Sequence, residues 1–344
     1  MPDSLAKTSA LGCLDTLPRA RLAHLPTPLE PMRNIAADLG LAAAWVKRDD
    51  CTGLALGGNK ARQLEFYFGE ALAEGADTIL ITGAVQSNYV RQAAAAAARL
   101  GMAAHVQLEA RTPKTDPTYK RSGNVLLDRM LGATIHHFAH GEDEAGADRA
   151  LEAVADGLRT AGGRPYVIHL GPGHPPLGAL GYVDAARELL AQIEADGIAL
   201  DELVVPSGSG ATHAGLLVGL RALGCDLPVL GACVRRGAEA QRPRLLERCE
   251  EIAALLGIAN PVREVDLRLT DAALAPGYGQ LNRITRDAIN LAARREGLIL
   301  DPVYSGKAMA GFVAAAGQAP GARLLFVHTG GAPAVFAYGD DLTG

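Results

Sequence analysis

Short apolar runs alternate along this chain with longer, amphipathic, helix-like stretches. Thr78-Ile79-Leu80-Ile81-Thr82 stops at Gly83, and an alanine-rich stretch from Asn88 to Leu100 follows, closed by Gly101. Ala104 to Leu108, Pro165 to Leu170, Leu203 to Pro206, Val229 to Val234 and Leu324 to His328 repeat the theme. Helical stretches lie at Ala179 to Glu194, Thr212 to Leu223 and Leu281 to Arg295. Strands that keep turning into helices pair in parallel and are covered by helices on both faces. The expected fold class is α/β, with two open, twisted, mostly parallel sheets flanked by helices.

With 344 residues the chain fits one large or two modest domains. No low-complexity linker divides it. Residues 63–170 suffice for a small α/β domain, and 1–62 with 171–344 for a larger one, so the chain crosses between them twice. Ligands of such sheets sit beyond the carboxyl ends of the strands, so the Gly-rich turns after strands are the places to look.

Several function classes drop out. The net charge is −5, aromatics are 4%, and Lys and Arg are scattered, so no nucleic-acid partner is expected. The five cysteines, Cys13, Cys51, Cys225, Cys233 and Cys249, have no C-x-x-C spacing, so neither a disulfide framework nor a metal site is expected. No apolar span reaches membrane length, and Met1 to Arg21 has no signal-peptide core. The expected address is the cytoplasm, with no membrane partner.

Five turns carry the candidate chemistry. In Gly57-Gly58-Asn59-Lys60 the glycines let backbone approach a ligand, and a lysine at a helix N-terminus feels the positive dipole end, which favours its neutral amine. The same four residues also suit a solvated lysine after a tight turn. In Gly83 to Tyr89, Ser87 is an N-cap as well as a polar group beside a bound anion. Pro206-Ser207-Gly208-Ser209-Gly210-Ala211-Thr212-His213 places N–H groups, hydroxyls and a helix N-terminus around an anion, or simply joins a strand to a helix. It lacks the Lys-Ser/Thr pair of a P-loop and is not G-x-G-x-x-G. Asp301 to Met309 and His328 to Pro333 flank the last strand, with Pro276-Gly277-Tyr278-Gly279 a looser sixth candidate. His174 and His213 are read as satisfied polar residues, and Cys51 as a packing residue.

These motifs, in this order, resemble the D-cysteine desulfhydrase and 1-aminocyclopropane-1-carboxylate (ACC) deaminase family. That family is a branch of the fold-type-II, tryptophan-synthase-β-like pyridoxal-phosphate (PLP) enzymes. The resemblance spans about residues 22–339 and rests on nine motifs: PTPL, KRDD, GGNK, QSN, LGALGY, SGSGATHAG, PGYG, DPVYSGKAMAG and HTGGAPA. It implies that Lys60 binds the cofactor as a Schiff base and, once released, moves protons. It further implies that Asn88 faces the ring hydroxyl and that Ser87 lies beside the substrate. Ser209, Gly210, Ala211 and Thr212 would hold the phosphate, and Tyr278 and Tyr304 would line the substrate pocket. Ser305 and Thr329 would sit near the pyridine nitrogen, and the enzyme would be a homodimer.

ACC deaminases resemble this chain but carry Glu at the position of Ser305 and Leu at that of Thr329. Hydroxyls leave the ring a weaker electron sink, which suffices when a good leaving group departs from Cβ. The expected reaction is therefore α,β-elimination on a small amino acid, D-cysteine giving pyruvate, sulfide and ammonia. L-cysteate sulfo-lyase and ACC deaminase are the alternatives, and a non-catalytic PLP sensor is a third of another class. Three departures fall near the expected pocket: Gln63 for the family's lysine, Tyr89 for its histidine, and Gly171-Pro172-Gly173-His174-Pro175-Pro176 for its Gly-Ser-Asn loop.

Overall fold

The computed structural model describes residues 11–171 and 173–343. Residues 1–10, Pro172 and Gly344 lie outside them, and with them part of the stretch scanned for a signal peptide and one residue of the 171–176 loop. Ten strands follow the chain: β1 (Leu29–Pro31), β2 (Ala43–Lys47), β3 (Thr78–Ala84), β4 (Ala103–Glu109), β5 (Thr134–Phe138), β6 (Pro165–Ile168), β7 (Glu202–Ser207), β8 (Val229–Cys233), β9 (Arg268–Thr270) and β10 (Arg323–Val327). They form a six-stranded sheet ordered β1-β2-β10-β7-β8-β9 and a four-stranded sheet ordered β5-β4-β3-β6. Only β1 and β2 pair antiparallel. The fold is the α/β arrangement of two mostly parallel sheets that the alternation dictates.

The local rules are visible in the small sheet. Every residue of β3 is buried, as a central parallel strand requires. Ser87 then caps the helix Asn88–Leu100 by accepting from Val90 N, and Gly101 ends it with φ +72°. Ala93 to Ala97 are all buried, so the helix lies close on the sheet. In the large sheet, the helices Leu180–Asp196 and Ala211–Ala222 bury Leu180, Val183, Leu217 and Leu220 with Leu203 and Val205 of β7.

The helix Lys60–Ala73 joins the two cores. It runs unbroken through residues 62 and 63, where the sequence suggested a boundary. Phe66 enters the large-sheet core, whereas Leu64, Tyr67 and Phe68 enter the small-sheet core. Ala20 and Leu22, which precede this helix, also pack in the small-sheet core. The sequence reading missed β1, β2, β5 and β9.

Candidate active site

The carboxyl ends of both sheets open into one cleft. β3 brings Thr82 to Ala84, β4 brings Glu109, and the turn after β7 brings Gly208 to Gly210. Thr329 and Gly330 follow β10, and Lys60 enters from the first turn of its helix. The Gly57-Gly58 turn exists because nothing larger fits. Gly57 has φ +66°, and a Cβ there would stand 1.9 Å from Asp50 O; at Gly58, with φ +126°, it would stand 2.5 Å from Gln92 Nε2. Gly57 O accepts from Arg91 Nη1 (3.0 Å) and Gln92 Nε2 (2.7 Å), while Asn59 N donates to Thr329 O (3.0 Å). The residue before the lysine is thereby fixed to two neighbouring elements.

Lys60 is half-exposed to the cleft, yet its amine is sunk in protein, and burial pushes its pKa down to about 8. Its Nζ lies 4.8 Å from the centre of the Tyr89 ring, the residue that departs from the family's histidine. Opposite it, Gly210 starts the helix Ala211–Ala222 with φ +96° and no side-chain cap, which leaves the first N–H groups for an anion. Ser209, Gly210 and Thr212 line the cleft. Thr212 Oγ1 accepts from Asn59 Nδ2 (2.9 Å) and Gln63 Nε2 (2.8 Å), so its own proton remains to be donated. Asn88 Oδ1 accepts from Asn124 Nδ2 (3.0 Å), leaving the Asn88 amide Nδ2 as a donor. Tyr278 and Tyr304 meet hydroxyl to hydroxyl at 2.5 Å, and burial raises both phenols.

Residues 20–330 match the family described as pyridoxal-phosphate dependent enzymes. The chain belongs to that family. Among known members, the PLP-dependent chain is 42% identical to a D-cysteine desulfhydrase of Salmonella typhi, over 94% of this chain and 97% of that one. The D-cysteine desulfhydrase of Salmonella choleraesuis is 43% identical over the same shares. A crystal structure of an ACC deaminase homologue superposes with a TM-score of 0.87 at 37% identity, covering 98% of each chain. Escherichia coli diaminopropionate ammonia lyase shares the fold, with a TM-score of 0.65 at 16% identity, 100% of this chain and 91% of that one.

The cleft fits the cofactor of this PLP-dependent family. It holds a buried lysine amine without an acidic partner, an uncapped helix N-terminus for a phosphate, and the Thr212 hydroxyl proton. Of the residues read from the sequence, Lys60, Ser87, Asn88, Ser209, Gly210, Thr212, Tyr278, Tyr304 and Thr329 line this one cleft. Ala211 and the departing Gln63 line a smaller adjoining cavity, with Tyr89 on the wall between. Ser305 is not on the cleft wall: it is fully buried, its hydroxyl donates to Asp301 Oδ1 (2.6 Å) and accepts from Asp301 N (2.8 Å). His213 is buried against Ser207, with its pKa down at about 4 through burial, and is neutral. Cys51 is exposed, and its thiol is raised by burial of part of its surface and by Asp50.

The sequence reading missed a charged rim. Arg111 clasps Glu109 through two bonds of 2.8 Å, just past β4. From the other side Arg235 (2.7 Å) and Arg244 (3.2 Å) reach Glu144, which opens the helix Glu144–Thr160. Glu109, Arg111 and Arg235 stand at or just beyond strand ends, and that position was the available signal.

Proposed function

We propose that this chain performs PLP-dependent α,β-elimination on D-cysteine, taking up water and releasing pyruvate, sulfide and ammonia. The observation that carries this reading is Lys60, a buried amine with no acid beside it, facing the uncapped helix N-terminus at Gly210. Similarity to D-cysteine desulfhydrases over 94% of the chain supports the substrate. Ser209, Gly210 and Thr212 would hold the phosphate, with Ala211 supplying backbone at the same helix start. Asn88 would donate to the ring hydroxyl, and Thr329 would face the ring nitrogen. Bound PLP supplies an electron sink for the charge left at Cα. Lys60 Nζ holds the cofactor and takes the Cα proton, aligned by the pinned turn behind it. Ser87 orients the substrate carboxylate. The Tyr278–Tyr304 pair closes the Cβ side and holds a proton for the leaving group. We also infer the two-domain division at 62/63 and 170/171 and a cytoplasmic homodimer. Exposed Leu126 and Met130 on the helix Gly123–Met130, with exposed Phe336 just past the neighbouring helix Ala332–Val335, support the dimer, and five free cysteines support a reducing compartment. Among the described residues no helix is long and apolar enough to cross a membrane.

A second reading, L-cysteate as substrate, is favoured by Arg111, Arg235 and Arg244, which could pair with a sulfonate. One panel separates the readings: D-cysteine, L-cysteine, L-cysteate, D-serine and ACC, each assayed for keto acid. D-cysteine is expected to give the highest kcat/KM, and a higher value with L-cysteate or ACC would displace it.

The amine pKa gives a second expected outcome. Cofactor capture needs neutral Nζ, whose fraction grows as pH rises through about 8. The rate at which cofactor-free protein takes up PLP, followed by visible absorbance, should climb from pH 6.5 to 8.5 and then level. A flat profile would reject the neutral amine as the limiting species.

A further inference from the structure

At the outer edge of the cleft three side chains converge: Asp148 on the helix Glu144–Thr160, His169 just after β6, and His174 in the loop that departs from the family pattern. One ligand atom of each lies within 4.8 Å of the other two. His169 Nε2 is 2.8 Å from Glu152 Oε1. An ionised carboxylate only accepts, so Nε2 carries a proton, and in the neutral ring Nδ1 keeps its lone pair. That Nδ1 is buried and has no hydrogen-bond partner, and it faces Asp148 Oδ1 at 3.7 Å. An imidazole and a carboxylate lone pair facing each other favour a cation between them, a proton or a metal ion. A histidine that gives its far N–H to a carboxylate is the arrangement that orients and strengthens a metal ligand. The His174 ring stacks on that of His169, centroids 3.8 Å apart and 8° from parallel, which keeps one of its nitrogens within 4.8 Å of the other two ligand atoms. Ligands of one tetrahedral zinc, each about 2.0–2.1 Å from it, stand roughly 3.3 Å apart, so the set closes only when the His174 ring turns out of the stack to aim a nitrogen at the ion.

We propose that Asp148, His169 and His174 form a site for a divalent transition metal that fastens His169 and His174 to the helix Glu144–Thr160. Two imidazoles and one carboxylate select a zinc-like ion over magnesium or calcium, which prefer all-oxygen shells. His169 and His174 stand at H-x4-H spacing, within the range of zinc ligands, but Asp148 lies far away in sequence, and the sequence reading took His174 as a satisfied polar residue. The site is separate from the PLP chemistry, although Asp148 also lines the cleft.

The test is calorimetric titration of ZnCl2 into the PLP-loaded Cys51→Ser protein at pH 8, a background that removes the exposed thiol. One saturable site is expected, weakened at least tenfold by His174→Ala and by His169→Ala. Unfolding curves without zinc, matching the parent, check that the variants fold; His174→Ala, a loop change, decides alone if His169→Ala does not. Undiminished binding in the variants, or no saturable binding in the parent, overturns the proposal. MgCl2 binding as tightly as ZnCl2 overturns the ligand class.

Discussion

Lys60→Ala should abolish both the visible absorption of the lysine-linked cofactor and keto-acid formation from D-cysteine. Loss of a positioned base alone costs about 10²–10⁴-fold in rate, and the lost anchoring geometry adds to it. The phosphate cradle from Ser209 to Thr212 is untouched by the change, so PLP should still bind, reversibly and with the spectrum of the free aldehyde. A second buried lysine makes the comparison sharp. Burial pushes Lys307 down to about 8 as well, so lowered basicity does not single out Lys60. Lys307 Nζ, however, donates to Leu274 O (2.7 Å) and Gly277 O (2.9 Å) and is spent on holding the loop that carries Tyr278. Lys307→Ala should loosen that loop and raise KM while the absorption band survives. Retention of the band or of a tenth of the turnover in Lys60→Ala would reject Lys60 as the anchor.

That contrast shows how far sequence alone reaches. Lys60 and Lys307 both follow a small-residue turn at a helix start, and only three-dimensional placement separates them. Motifs at strand ends were legible because each pairs a chain reversal, readable from glycine, with polar groups at the mouth of a parallel sheet. Ser87 and Thr212 belong to this class, and both reach the cleft. Ser305 shows the opposite case. Its place beside a ring nitrogen was carried by resemblance, and the distinction from ACC deaminases leaned on it. Its hydroxyl instead caps Asp301, which also accepts from the backbone of Val303 (2.9 Å), Tyr304 (2.9 Å) and Ser305 (2.9 Å). In this structure the residue contributes to the shape of the turn carrying Tyr304, while Thr329 alone of the pair faces the cleft. Glu144 and Arg235 were illegible for another reason: an ion pair between residues about ninety positions apart leaves no periodicity. Buried strands such as β3 were read within two residues, whereas half-exposed β5 gave no usable pattern.

Arg62→Ala should cost about 3–5 kcal/mol of stability, the penalty for removing one partner from a buried ionic cluster. Arg62 is fully buried two residues beyond Lys60, and its guanidinium donates to Asp49 (3.0 and 3.1 Å) and Glu188 (2.8 and 3.0 Å). Asp49, itself buried, also accepts from Thr27 Oγ1 (2.7 Å) and Tyr182 OH (2.5 Å), and Glu188 accepts from Lys47 (2.5 Å). The cluster ties the helix carrying Lys60 to β2 and to the helix Leu180–Asp196. Burial pushes the Asp49 carboxyl up, but Arg62 and the hydrogen bonds outweigh it and hold its pKa below the usual value. A depressed carboxylate stabilises the fold above its unfolded pKa, and that contribution fades as pH falls through the folded value. Without Arg62 only Lys47 and the hydroxyls of Thr27 and Tyr182 oppose the burial penalty, so Asp49 takes up a proton more readily, and the variant should lose less of its remaining stability on acidification than the parent does. Urea unfolding at pH 7 and at about pH 3, below the ordinary carboxylate value, measures both terms through the midpoint. A loss below 1 kcal/mol at pH 7 would mean that water reaches Asp49 and that the cluster does not hold the Lys60 helix. The fourfold change Arg62→Met, Asp49→Leu, Glu188→Leu, Lys47→Met should recover part of the loss, because apolar groups in the same volume leave no charge to desolvate. Recovery would assign the effect to the stranded carboxylates; its failure, with Arg62→Ala still costly, would assign it to packing around the arginine stem.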